Sequence, residues 1–252
     1  MKKSLQKSPT TRPRYACHLI IKRVACCTLF IFAVLGGVVL LAWCFGVELL
    51  SCASAKPLSI TYCAVYTLPN DPTYESAYNL GEHLKLRGAG GNIITDGTNY
   101  IVVLAVYKDT QEANSVIDNL SKQNITCKYQ TIALTEDISK LSKDEQQTLN
   151  ELFELNISCI DKLINIIYNL EQTSITQMDA YVEVFSLFTQ HQNTLNNLPK
   201  PQNEQLALYV QKTINVQSLL YLLTQENHHS ATNANYLSVV RNFAYRMLDA
   251  LK

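Results

Sequence analysis

Glycine and proline are scarce, with eight and seven among 252 residues. That scarcity, beside many Leu, Ile and Val, excludes a collagen-like or globally disordered chain. Net charge is also missing: 21 basic residues meet 21 acidic ones. A nucleic-acid binder should carry a basic face, so no nucleic-acid partner is expected. The eight cysteines, at 17, 26, 27, 44, 52, 63, 127 and 159, include no Cys-x-x-Cys pair and no Cys/His pair at zinc spacing. No metal site and no cofactor are therefore expected.

What is present is unevenly spread. Residues 1–23 hold seven basic residues and no acid, which leaves the remainder at −7. Val24 to Val47 then reads VACCTLFIFAVLGGVVLLAWCFGV, with no charge. At ~1.5 Å rise per residue this run is long enough to cross a ~30 Å hydrocarbon core. The positive-inside rule predicts a cytoplasmic tail over 1–23 and a transmembrane helix over 24–47. It puts the C-terminal domains outside the cell, in a single-pass protein of the cell membrane. A cleaved signal peptide fits less well, because the apolar run is too long. A lipoprotein is a further alternative, since Leu49-Leu50-Ser51-Cys52 loosely resembles a lipobox.

Residues 57–133 alternate between strand and helix patterns. Leu58–Thr67 (LSITYCAVYT) is rich in β-branched and aromatic residues and predicts a strand. Asp71 and Pro72 predict a helix start. Asn92–Thr95 reads as a short strand, Asp96-Gly97 as a hairpin signal, and Tyr100–Tyr107 (YIVVLAVY) as a strong strand. Asp109 to Glu112 resembles a capping box that opens a second helix. Asn124 to Ile132 is the last strand. The halves echo each other, with Ala64-Val65-Tyr66 and Ala105-Val106-Tyr107 at matching places. A duplicated β-α-β predicts a ferredoxin-like βαββαβ sandwich, for which strand order 4-1-3-2 is usual.

This stretch resembles the SPOR domain, the sporulation-related repeat. The resemblance rests on Tyr100-Ile101-Val102-Val103-Leu104-Ala105-Val106-Tyr107, followed by Glu112-Ala113 and Leu120. The end of the first strand, Cys63-Ala64-Val65-Tyr66, adds to it. It implies recognition of denuded peptidoglycan glycan strands, and a scaffold or recruiter at the division or sporulation septum. This chain departs from the family at four positions: Ala64 and Ala105 stand for Gly, Tyr62 for Gln and Ile101 for Arg. Those departures favour an alternative, a non-catalytic protein-interaction module whose SPOR-like fold has lost glycan binding.

Strand alternation puts Thr61, Cys63 and Val65 toward the helices and Ile60, Tyr62 and Ala64 away from them. The candidate glycan-binding residues on the open face are Tyr62, Ala64, Ile101, Val103, Lys128 and Gln130. Tyr can stack on a sugar ring, and Lys and Gln can donate hydrogen bonds to its oxygens. The competing reading has the C-terminal helices cover this apolar face. Cys63 and Cys127 lie on one inner face and are candidates for a disulfide, with two buried free thiols as the alternative.

Residues 135–252 read as helix throughout. Ser142 to Glu145 is a capping box. The helix it opens has apolar positions 149, 152, 153, 160, 163, 164, 167 and 170. A second helix carries Met178, Val182, Phe185, Phe188 and Leu195, and ends at Pro199-Lys200-Pro201. A third runs over Leu206, Val210, Leu220 and Leu223. A fourth has Leu237, Val240, Ala244, Met247 and Leu251. Four amphipathic helices predict an all-α four-helix bundle, a second domain of an α+β chain. Its eight basic and thirteen acidic residues suit a protein partner. His228-His229 reads as an exposed loop pair, and His191 and Asn193 as solvated. Glu75, Glu82 and Asp96 form no catalytic pair, so no enzyme is expected.

Overall fold

The computed structural model describes residues 57–226 and 233–252. These residues belong to one compact unit. Its elements are β1 (Leu58–Thr67), α1 (Tyr74–Lys85), β2 (Asn92–Thr95), β3 (Tyr100–Tyr107) and α2 (Thr110–Ser121). β4 (Cys127–Glu136), α3 (Lys143–Glu171), α4 (Gln177–Asn196), α5 (Glu204–Gln225) and α6 (Asn233–Ala250) complete it.

Local chemistry accounts for the boundaries. Thr73, two residues beyond the expected start, caps α1 by accepting from the Ser76 amide at 3.2 Å. Asp109 caps α2 by accepting from the Gln111 and Glu112 amides. Reciprocal capping boxes open α3 at Ser142/Glu145 and α4 at Thr176/Asp179. In the β2–β3 turn, Asp96 Oδ1 accepts from the Thr98 and Asn99 amides at 2.9 and 2.7 Å. Those amides hold the Asp96 carboxyl below its usual range. Gly97, at φ +93°, supplies the left-handed backbone there.

The sheet order is β2-β3-β1-β4, with every pair antiparallel and a bulge at Val65/Tyr66. One face packs on α1 and α2 through Cys63, Val65, Val102, Leu104, Ala77 and Ala113. The other face carries Tyr62, Ala64, Val103, Ile132 and Leu134. These join the core of α3–α6 through Leu149, Leu163, Val240 and Phe243. Polar contacts fasten α6 to the start of β2: Asn242 Nδ2 donates to the Gly90 carbonyl at 3.1 Å, and Asn92 Nδ2 to the Asn242 carbonyl at 3.2 Å.

These layers correct the expected fold class. The expected β-α-β-β-α-β order and strand order 4-1-3-2 are found, but in place of an open sheet face and a separate four-helix bundle the described residues form one α+β unit. It holds a four-stranded antiparallel sheet with helices on both faces. The physical reason is the apolar character of both faces of the central strands. A strand that is apolar on both sides is stable only when both are covered.

The transmembrane helix expected over 24–47, the basic tail and Cys52 lie outside the described residues. Against the expectation of a single-pass membrane protein with external C-terminal domains stands one finding, which covers the described residues alone. Among the described residues, no helix is long and apolar enough to cross a membrane.

Candidate interaction surfaces

The six residues proposed for glycan contact do not form an open face. Tyr62, Ala64, Ile101 and Val103 are buried, Lys128 is exposed and Gln130 is half-buried. Tyr62, at 1% exposure, lies beneath α3, and its hydroxyl donates to Asp161 Oδ1 at 3.0 Å. Burial, then the Asp161 charge, raises the Tyr62 pKa, so the phenol stays protonated. Asp161 Oδ2 lies 3.5 Å from Lys108 Nζ. This phenol–carboxylate–ammonium chain ties β1 and the end of β3 to α3.

Cys63 and Cys127 are free buried thiols, which corrects the disulfide candidate. The register places Thr67, not Cys63, opposite Cys127. Four strand residues separate the thiols' positions, about 13 Å, while a disulfide needs Cα atoms within ~7 Å. Burial pushes the Cys127 thiol up to about 11 and the Cys159 thiol up to about 12. Ellman's reagent added to native residues 57–252 should therefore find almost no reactive thiol, and three after denaturation. A native titre of one or more would contradict this arrangement.

His191 is buried rather than solvated. Its Nδ1 faces the Leu187 carbonyl at 3.1 Å, and its Nε2 faces Asn156 Oδ1 at 3.4 Å. Asn156 Nδ2 donates to Thr213 Oγ1 at 2.9 Å and reaches Tyr209 OH at 3.4 Å. One polar knot thus joins α3, α4 and α5 inside the helical layer. His228 and His229 lie outside the described residues. Among the described residues, no group of three His, Cys, Asp or Glu could hold a metal ion.

Two surface features stand out. The first is a cleft of about 700 Å³ between α2 and α3 at the end of β3, lined by Tyr107, Lys108, Ser115, Asn119 and Tyr168. A smaller hollow of about 270 Å³ shares Tyr107, Val116, Asn119 and Glu171 with it and reaches Arg87 and Arg241. Arg241 pairs with Glu171 there, and its Nη1 donates to the Gly88 carbonyl at 2.7 Å. Arg87 Nη2 donates to Gln123 Oε1 at 2.6 Å, and the Arg241–Glu171 pair makes this base a structural clamp between α6, α3 and the loop after α1.

The second feature is an aromatic stripe on the outer face of the α4–α5 hairpin. Ring centroids run from Tyr181 to Phe185 at 6.3 Å, Phe185 to Phe188 at 6.3 Å and Phe188 to Tyr221 at 5.7 Å. Met178, Val182, Phe185, Tyr221 and Leu222 are exposed along it. The sequence predicts Met178, Val182 and Phe185 among the apolar positions of this amphipathic helix. The buried residues are instead Ala180, Val184, Leu187 and His191. The hollow beside Tyr221 is lined by Phe188, Gln192, Gln217, Ser218 and Leu222, without a charged residue.

Comparison with known proteins finds no match among family models, curated proteins or solved structures.

Proposed function

We propose that residues 57–252 act as a non-catalytic protein-interaction module, whose SPOR-like stretch has lost glycan binding. The exposed aromatic stripe of α4–α5 carries this reading. Large aromatic side chains left in water beside Met and Leu mark sites of protein contact. The burial of Tyr62, Ala64, Ile101 and Val103 supports it from the other side, because a sugar ring cannot stack on a phenol covered by α3.

The test retains proteins from the source cells on immobilised full-length chain, as wild type and as Phe185→Lys/Tyr221→Lys. The proteins retained by the wild type should fall at least tenfold with the double variant, while far-UV circular dichroism stays unchanged. Equal retention would overturn the reading. In parallel, residues 57–252 should not co-sediment with peptidoglycan sacculi, whether or not an amidase has removed the stem peptides. Saturable binding to the denuded glycan would restore the septal glycan reading.

A further inference from the structure

We propose that the α4–α5 stripe is a self-association surface, on which the hairpin of a second copy of this chain docks about a two-fold axis. The inference rests on the interaction-module reading and names its partner. The juxtaposition behind it is a continuous aromatic ladder across two helices, Tyr181, Phe185, Phe188 and Tyr221, bordered by amide side chains.

Area supports it first. Met178, Val182, Phe185, Tyr221 and Leu222 are between 43% and 58% exposed. An aromatic side chain contributes ~150–250 Å² when fully exposed, and aliphatic ones somewhat less, so the five present on the order of 400 Å² of apolar surface. A standard interface takes about 800 Å² from each partner, a little over half of it apolar. The stripe therefore supplies the apolar core that one protomer of a modest dimer needs.

Charge then selects the partner. A two-fold contact sets each patch against its own copy, so any net charge in it meets like charge. The acidic residues of α4 flank the stripe rather than cross it. At 100° per residue, Asp179 and Glu183 sit about 120° and 160° around the axis from Phe185. Asp179 is also engaged in the α4 capping box. Lys212 of α5 is held by Glu136 at 2.8 Å and by the last carbonyls of the chain. The hollow beside Tyr221 is bordered by Gln192, Gln217 and Ser218. Each of these both donates and accepts hydrogen bonds, so each can pair with its own symmetry mate. A partner steered by charge would find nothing complementary in that hollow. Two hairpins stacked in this way form a four-helix contact of the usual kind.

The test introduces a photo-reactive phenylalanine analogue in place of Phe185 in the full chain, in the source cells, with Thr98 as control position. Thr98 is exposed in the β2–β3 turn, away from the stripe. Irradiation should give a covalent species of twice 28.4 kDa from position 185 and none from position 98. Adding Tyr221→Lys, or separately Val182→Lys, should reduce that species at least tenfold. An adduct of another mass would overturn self-association and leave the interaction reading standing. No adduct from position 185 would overturn both. A dimeric adduct insensitive to both lysines would place self-association elsewhere on the chain and overturn the assignment to this stripe.

Discussion

Tyr62→Ala should destabilise residues 57–252 by about 3–5 kcal/mol, the range for truncating a large buried aromatic. Tyr62 is 1% exposed and belongs to the core shared by the sheet and α3. Truncation removes ring contacts on both sides and leaves a cavity that a β-strand clamped between helices cannot easily close. It also takes the hydroxyl from Asp161 Oδ1. Tyr62→Phe separates the two parts. Asp161 is partly exposed, so water can replace the phenol, and the loss should be nearer 1 kcal/mol. Urea titration measures both variants, as a lowered midpoint at unchanged slope. A total stability of about 5–15 kcal/mol makes the Ala variant marginal at best. The glycan reading requires the opposite pattern, with near-wild-type stability and weakened binding to denuded sacculi. Tyr62→Ala within 1 kcal/mol of wild type would reopen it.

Tyr62 also marks where the sequence could be read and where it could not. β1 and β3 were legible, because ten and eight residues rich in Val, Ile and Tyr leave little alternative to a strand. So was α3, whose capping box and eight expected apolar positions, 149 to 170, are all found as such. Period-two alternation correctly sorted Cys63 and Val65 from Tyr62 and Ala64, but alternation says which side chains share a face, not what covers it. The missing signal was available. Ile101 to Val106 is apolar at every position, and such a run belongs to a strand covered on both sides. In α4 two stripes compete. The aromatic series through Met178, Val182 and Phe185 carries more hydrophobicity and was chosen. Ala180, Val184, Leu187 and His191 repeat at steps of 4, 3 and 4, and they are the buried ones. A histidine among Gln and Asn disguised that stripe, and only its position after Leu187 betrays it. The Cys63–Cys127 pairing failed for a related reason: sharing a face does not fix register.

His191 and its partner make the second large effect. Asn156→Ala should cost about 3 kcal/mol, since each buried group left without a partner costs about 1–3 kcal/mol. Asn156 is wholly buried in α3, where its amide meets Thr213 Oγ1, Tyr209 OH and His191 Nε2. Thr213 keeps its bond to the Tyr209 carbonyl, so the burden falls on Tyr209 and His191. The same knot predicts a pH dependence. Burial lowers the His191 pKa below its usual value, with the Lys162 charge acting the same way and the Leu187 carbonyl opposing both. The folded chain thus resists a proton that the unfolded chain takes up near pH 6.5. His191 contributes its full stability above that pH, and the contribution is lost as pH falls toward the lowered folded value. The slope is at most about 1.4 kcal/mol per pH unit for one proton. Urea midpoints taken between pH 8 and 5.5 should fall on the acid side in the wild type and fall less in His191→Gln. Parallel curves for the two proteins would show that His191 is not the group that titrates. In that case the acid sensitivity of this fold would belong to its carboxylates, among them Asp96, Asp137, Glu145 and Asp179, whose lowered pKa values place their own losses at more acidic pH.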